Sequence, residues 1–347
     1  MPVTVVIGGQ FGSEGKGKVA HFLSREMEAT VAVRIGGPNS GHTVGTPSGA
    51  TIILRQLPTA AILPNVICAL GAGSYIIPEL LFAEMALTGL DKEKLFIDPH
   101  AVVITENELR TEKESSLRIS IGSTQSGTGA AVVQRISRES TVVFAENDQR
   151  LKSYVRPVSA FLRNQLAHNK RIVLEGTQGF GLSLLHSRYY PVVTSRDTTA
   201  AGFISEAGLS PFDVDDIVMV LRSFPIRVGG NSGHLPEETS WEVVTSQSGS
   251  DRDIVEITSV SKTIRRVGRF DTEVVLDAIR VNQPSRIVLN HIDYVDATCF
   301  EADSLSDKAL RFIEDVEVGI GSKVDYIGCG PSSMMSRVSV QRMSKSA

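Results

Sequence analysis

The sequence predicts an α/β fold around a largely parallel central sheet, and three observations predict it. Apolar, β-rich runs at Val3–Ile7, Thr30–Ile35, Val66–Leu70, Arg171–Leu174, Asp216–Leu221 and Ser285–Leu289 alternate with helix-like segments. That alternation is what crossover connections between parallel strands produce. The first run passes directly into a Gly-rich stretch and then into a helical pattern. The composition, 41% hydrophobic and 21% charged over 347 residues, provides for a large core. The sequence shows neither an internal repeat nor a low-complexity linker, so a single domain spanning 1–347 with inserted substrate loops is expected. The polar stretch Gly229–Ser250, rich in Gly, Ser, Glu and Pro, reads as a mobile excursion.

Composition also excludes classes. A net charge of −4 argues against general nucleic-acid binding, though not against a nucleotide site with local positive charge. Cys68, Cys299 and Cys329 lie far apart without metal-ligand spacing, which suits a reducing, cytoplasmic setting. A signal peptide or a continuous apolar span of about 20 residues is not evident, so no membrane partner is expected.

The first run ends in Gly8-Gly9-Gln10-Phe11-Gly12-Ser13-Glu14-Gly15-Lys16-Gly17-Lys18. Glycines let backbone amides converge on phosphate oxygens, the following helix adds its positive end, and Lys16 supplies a point charge. The glycine pattern alone also fits a plain turn, and Gly17 stands where a strict P-loop wants Ser or Thr. The second run leads into Gly36-Gly37-Pro38-Asn39-Ser40-Gly41-His42-Thr43, a loop that suits a substrate, although a lone loop histidine is commonly a surface residue. Gly122-Ser123-Thr124-Gln125-Ser126-Gly127-Thr128-Gly129 offers hydroxyls and free amides to a monophosphate, or is a flexible surface loop. Leu174-Glu175-Gly176-Thr177-Gln178-Gly179 ends a strand where α/β sheets place ligands, or forms a buried turn. Lys262, Arg265, Arg266 and Arg269 form either a solvated basic face or a carboxylate-binding cluster.

Taken together and in order, these segments resemble the adenylosuccinate synthetase family. The first stretch is similar to its G-G-Q-W-G-D-E-G-K-G-K signature, with Phe11 for the tryptophan and Ser13 for the aspartate. Asn39-Ser40-Gly41-His42-Thr43 resembles N-x-G-H-T, and Glu175-Gly176-Thr177-Gln178-Gly179 resembles E-G-x-Q-G. Pro191–Thr199 resembles P-Y-V-T-S-x-x-T-T, Ser223–Gly229 resembles S-F-x-T-R-V-G, and Thr258–Asp271 resembles the aspartate loop T-x-T-G-R-R-R-R-x-G-W. Asn290-His291-Ile292-Asp293 is similar to the guanine box T-K-x-D, with His291 for the lysine.

The resemblance implies a P-loop-like synthetase fold and a C–N ligase that uses Mg²⁺ and a nucleoside triphosphate. It implies catalytic roles for Ser13, Lys16, His42 and Gln178, with His42 as general acid on the 6-oxygen. The triphosphate falls to Gly12, Glu14, Gly15, Lys16, Gly17, Gly41 and Thr43, and its base to Asn290, His291, Asp293, Gly330 and Pro331. The nucleoside monophosphate falls to Ser13, Asn39, Ser123, Thr124, Gln178 and Thr194, with Arg138 supplied in trans by the second subunit of a homodimer. Aspartate falls to Ser259, Val260, Ser261 and Arg265, and the metal to Ser13 and Gly41. Thr263 replaces an arginine that lies near the ribose in the family, a hint of altered sugar recognition.

Ser13 decides between readings. The family's aspartate here is the catalytic base and a metal contact, and a serine resembles the viral 2-aminoadenylosuccinate synthetase branch, which acts on dGMP. A shorter, neutral side chain leaves room for the 2-amino group of guanine and offers it a hydroxyl. The resulting expectation is ligation of L-aspartate to the 6-position of dGMP, with ATP or dATP in place of GTP, in the host cytoplasm if the chain is viral. The alternatives are a conventional synthetase acting on IMP and an inactive nucleotide-binding protein. The retained His42, Gln178, Thr194 and Arg265 argue against the last.

Overall fold

All six apolar runs are strands of one sheet. The computed structural model describes residues 2–46, 49–258 and 262–337. Strands β1 (Val3–Gly8), β2 (Val31–Gly36), β3 (His42–Gly45), β4 (Thr51–Leu54) and β5 (Ile67–Ile76) come first. They are followed by β6 (Leu95–Ile97), β7 (Val102–Val103), β8 (Ile172–Glu175), β9 (Val214–Arg222) and β10 (Ile226–Arg227). The chain continues with β11 (Glu238–Thr239), β12 (Arg266–Gly268), β13 (Arg286–Asn290), β14 (Tyr326–Cys329) and β15 (Ser333–Ser336). Among the described residues ten strands form the main sheet, in the order β15-β14-β13-β9-β1-β8-β2-β5-β6, with β7 also on β5. Every pairing in it is parallel except β14 with β15.

The β1, β2 and β8 strands are buried along their whole length, because helices cover both faces of the sheet. Val3, Val5 and Ile7 face one core, shared with the helices Ala200–Ala207, Thr272–Asn282 and Asp307–Ile320. Val6 turns to the other face, where Val19, Ala20 and Leu23 of the helix Lys16–Glu26 pack. Burying each such side chain contributes about 1.5–3 kcal/mol.

Two loop expectations are corrected. His42 and Thr43 do not lie in a loop: they open β3, which pairs antiparallel with β4 in the register His42↔Leu54 to Gly45↔Thr51. The alternation of buried His42 and Val44 with outward Thr43, facing a β-branched partner, makes a hairpin there. The second half of Gly229–Ser250 is regular rather than a mobile excursion: β11 pairs with β12, and Trp241–Ser248 is helical. Ser240 caps that helix by accepting from the Val243 amide at 3.4 Å, Gly249 ends it at positive φ, and Trp241 and Val244 are buried.

Candidate active site

Loops leaving the carboxyl ends of β1, β2, β8, β9 and β13 meet above the sheet, as ligand sites in parallel sheets do. Gly12, Ser13 and Gly15 take positive φ (92°, 56° and 91°), so the loop after β1 coils tightly over the start of the helix Lys16–Glu26. Its inner brace is Glu14, wholly buried, whose carboxylate accepts from the amides of Gln10 (3.2 Å) and Gly12 (2.8 Å) and from Lys16 Nζ (2.7 Å).

Two cavities open over these loops. The first, of about 210 Å³, is lined by Ser13, Asn39, Ser123, Thr124, Gln178 and Thr194, together with Arg227 and Glu112. The second, of about 650 Å³, is lined by Gly15, Lys16, Gly17, His42, Thr43, His291, Asp293, Gly330 and Pro331. Ser13, Gly41, Thr258 and Arg265 line both. Most residues expected around a monophosphate nucleotide thus converge on one cavity, most of those expected around a triphosphate on its neighbour, and Ser13 stands at their junction.

Several expected residues fall elsewhere. Glu14 lines neither cavity, because its carboxylate is spent on the loop's own amides. Asn290 also lines neither, since its side-chain amide donates to the Glu14 carbonyl at 2.7 Å beneath the loop. Gly12 lines the first cavity rather than the second. Arg138 is exposed at the end of the helix Thr128–Ser137 and reaches neither cavity within its own chain. Ser259, Val260 and Ser261 lie outside the described residues. The amides after Gly122 are not free as expected: buried Glu112 accepts from those of Gly127 (2.9 Å), Gly129 (2.5 Å) and Ala130 (3.2 Å). That carboxylate occupies the anion-attracting end of the following helix, leaving the hydroxyls of Ser123 and Thr124 to face the cavity.

His42 is held by Glu175, Thr59 and Arg34 acting together, a grouping that only the fold brings about. Its Nδ1 lies 2.5 Å from Glu175 Oε1, while Glu175 Oε2 accepts from the Thr59 amide and hydroxyl, each at 2.8 Å. Arg34 Nη1 contacts the same Glu175 Oε1 at 3.2 Å and donates to the Leu57 carbonyl. Burial, reinforced by Arg34 and opposed by the Glu175 hydrogen bond, pushes the His42 imidazole down to about 4. The ring is therefore neutral near pH 7, donating Nδ1–H to Glu175, and Nε2 is buried without a partner among the described residues. Arg34 Nη2 also donates to the Ser40 carbonyl at 2.8 Å, which fixes the turn carrying Asn39 and Gly41.

Further charges shape the walls. Arg227, buried in the first cavity, lies over the Phe11 and Tyr189 rings at 4.8 and 5.6 Å and donates to the Val192 carbonyl at 2.8 Å. In the second cavity Asp293 accepts from the Gly330 amide at 3.0 Å, and burial raises its carboxyl. Lys18 beside it donates to the Gly330 carbonyl at 3.0 Å and is pushed by burial to about 8. His291 is half-buried, its ring 5.0 Å from that of Tyr294. Arg266, expected in the arginine cluster, turns away to pair with Glu238, whereas Arg265 faces the junction.

Among the described residues no group of three or more His, Cys, Asp or Glu side chains is arranged to hold a metal ion. Neutral oxygen donors at Ser13 and Gly41, beside a phosphate-sized space, suit a Mg²⁺ ion that keeps its waters and arrives with a triphosphate.

The profile of the adenylosuccinate synthetase family matches residues 5–146 and 141–299. The adenylosuccinate synthetase of Methanocaldococcus jannaschii is 36% identical over 335 residues, covering 94% of each chain. That of Pyrococcus horikoshii is 34% identical, covering 95% of this chain and 96% of its own. Among solved structures, fully ligated adenylosuccinate synthetase from Plasmodium falciparum superposes with a TM-score of 0.84 at 21% identity, covering 97% of this chain and 100% of its own. The succinoaminodeoxyadenylate synthetase of cyanophage S-2L, bound to dGMP and to dATP as an energy donor, superposes with a TM-score of 0.82 at 27% identity, covering 99% of each chain.

Proposed function

The chain belongs to the adenylosuccinate synthetase family of C–N ligases, and from that premise we propose that it joins L-aspartate to the 6-position of dGMP at the expense of ATP or dATP. The observation that carries this reading is Ser13 at the junction of the two cavities, where the family has an aspartate. Guanine carries an amino group at C2, next to N1. A serine leaves space for that group and offers it an acceptor oxygen, where a carboxylate with its metal contact would crowd it.

In the proposed reaction dGMP occupies the first cavity, with its monophosphate on Ser123, Thr124 and Thr194 and its base against Gln178 and Ser13. The triphosphate occupies the second, with Lys16 and the amides of Gly15 and Gly17 on its phosphates. The 6-oxygen attacks the γ-phosphorus as the N1 proton passes to solvent, and ADP (dADP from dATP) leaves. The aspartate amine then displaces phosphate from C6, giving 2-amino-2′-deoxy-N6-succinyladenylate, a precursor of 2-aminoadenine DNA. Ser13 and Gly41 would hold a Mg²⁺ ion, which when bound would supply charge neutralisation for the transferring group. Arg265 at the junction supplies a guanidinium fork for a carboxylate of aspartate. His42 lines the second cavity with its Nδ1 held by Glu175, and would act as general acid on the 6-oxygen when its ring is protonated.

The second cavity supports an adenine donor. A half-buried His291 replaces the lysine whose stem packs on guanine in the family, and Asp293 can accept from an adenine 6-amino group. The cyanophage enzyme's ligands, dGMP and dATP, support both assignments. The second reading, IMP with GTP, is favoured by the conventional activity of the 36%-identical archaeal relatives.

The test is phosphate release with L-aspartate and Mg²⁺, crossing dGMP, GMP and IMP against ATP, dATP and GTP. Turnover with dGMP and ATP or dATP, and not with IMP, is expected. Turnover with IMP and GTP alone establishes the second reading, and nucleotide binding without release in any combination marks an inactive binder.

A further inference from the structure

Residues 256–258 and 263–265 run antiparallel to each other. Ile257 bridges Ile264 antiparallel, the Arg265 amide donates to the Glu256 carbonyl at 2.9 Å, and the Thr258 amide donates to the Thr263 carbonyl at 2.9 Å. Glu256 and Arg265 are thus paired across the two runs, and their side chains meet as well: Arg265 Nη1 lies 2.9 Å from Glu256 Oε2.

The same carboxylate grips a second arginine. Arg222, wholly buried at the end of β9, reaches Glu256 Oε2 at 3.3 Å through Nη1 and pairs Nη2 with Oε1. Arg222 is itself fastened to the phosphate loop. Its amide donates to Gln10 Oε1 at 2.9 Å, its carbonyl accepts from Gln10 Nε2 at 3.1 Å, and its Nη1 donates to the Ser13 carbonyl at 3.0 Å. A continuous path of hydrogen bonds therefore runs from Ser13 through Arg222 and Glu256 to Arg265, which lines both cavities.

We propose that Glu256 is a positioning residue for amino-acid binding: by clamping Arg265 against the anchored Arg222, it presents the Arg265 guanidinium, already ordered, to a carboxylate of the incoming aspartate. This rests on the reading that Arg265 meets aspartate. An arginine left free loses substantial side-chain entropy when it binds, and one already held loses less. Two guanidinium groups without the carboxylate between them repel, so Arg265 would swing away from the junction. The trio carries two positive charges and one negative, so one net positive charge remains for the substrate.

The test compares the aspartate KM of the wild type with those of Glu256→Gln and Glu256→Asp, with dGMP and ATP saturating. Glu256→Gln removes the charge, and Glu256→Asp keeps it but cannot span both guanidinium groups. Both are expected to raise the aspartate KM by about tenfold, with the KM values for dGMP and ATP changed by less than about twofold. A lower aspartate KM in Glu256→Gln would mean that Glu256 only dilutes positive charge, and overturns the proposal. An unchanged value in Glu256→Asp would mean that charge alone suffices, and overturns it too. If Glu256→Gln fails to bind nucleotide because it is misfolded, Glu256→Asp decides alone by the same criterion. A wild type that releases no phosphate in response to aspartate removes the underlying reading and this proposal with it, whereas an aspartate-dependent wild type with unmoved variants defeats this proposal alone.

Discussion

Ser13 has a backbone held at φ 56° between two glycines of positive φ, and a side chain on the wall common to both cavities. That placement makes it a discriminator between purines that differ at C2. Ser13→Ala removes the hydroxyl partner proposed for the 2-amino group and is expected to lower kcat/KM for dGMP about tenfold more than that for IMP. Ser13→Asp puts a carboxylate back and is expected to raise the ratio of IMP to dGMP kcat/KM by at least about tenfold, since general-base assistance is worth about 10²–10⁴-fold. Steady-state kinetics with both nucleotides checks this. Equal effects of Ser13→Ala on dGMP and IMP would remove Ser13 from specificity and leave it a loop residue.

At the scale of elements, the central strands are tied across their edges as well as through their ladders. Asp216 on β9 accepts from Thr4 of β1 (3.2 Å) and from Ser285 (2.7 Å), and pairs with Arg286 of β13. Burial alone would raise its carboxyl, but Arg286, Ser285 and Thr4 outweigh that and hold it below the usual carboxylate range. A group whose pKa is depressed by folding stabilises above its unfolded value, near 3.9, and that contribution is lost as pH falls toward the folded value. Asp216→Asn is therefore expected to lower stability by about 1–3 kcal/mol at pH 7 and to make the loss below about pH 4 shallower than in the wild type. Urea unfolding at both pH values checks it, and parallel pH curves for the two proteins would count against it. Such ties also mark the limit of what the sequence discloses. The six strands β1, β2, β5, β8, β9 and β13 are legible because strands buried on both faces appear as apolar, β-rich runs, whereas the two- and three-residue strands β6, β7, β10, β11 and β12 are too short to show a period. The Gly-rich loops are legible because a phosphate-binding turn needs those glycines locally. Glu112 is not, since Thr111-Glu112-Lys113-Glu114 reads as a solvated helix face and only the fold brings Gly127, Gly129 and Ala130 onto its carboxylate. The same holds for Glu175 with His42 and for Glu256 with Arg222, pairs 133 and 34 residues apart in the chain.

On the scale of the whole molecule, the arginines that line the first cavity are already engaged within the chain. The hydroxyls of Ser123, Thr124 and Thr194 line it, Arg265 is paired with Glu256, and Arg227 is stacked between aromatic rings and bound to backbone carbonyls. Arg138, the cation expected to meet the monophosphate, points outward from the end of the helix Thr128–Ser137, and the same region exposes Ile119 (80%), Val133 (61%) and Ile136 (68%). Exposed apolar side chains next to a basic residue with no site of its own fit a face covered by a second copy, whose Arg138 would enter this chain's cavity. Among the described residues no helix is long and apolar enough to cross a membrane, so these side chains are not part of a helical membrane span. The dimer reading makes a quantitative prediction. Arg138→Ala and Lys16→Ala, each nearly inactive alone, are expected to regain activity when mixed and allowed to exchange subunits, because a mixed dimer holds one site with both Lys16 and a partner's Arg138. Random exchange of equal amounts makes half of the dimers mixed and leaves about a quarter of all sites intact, so phosphate release should recover to about a quarter of the wild-type rate. If the mixture stays as inactive as its parts while light scattering shows exchanged dimers, Arg138 acts within its own chain or not at all, and the monophosphate must be held by the hydroxyls and Arg227 alone.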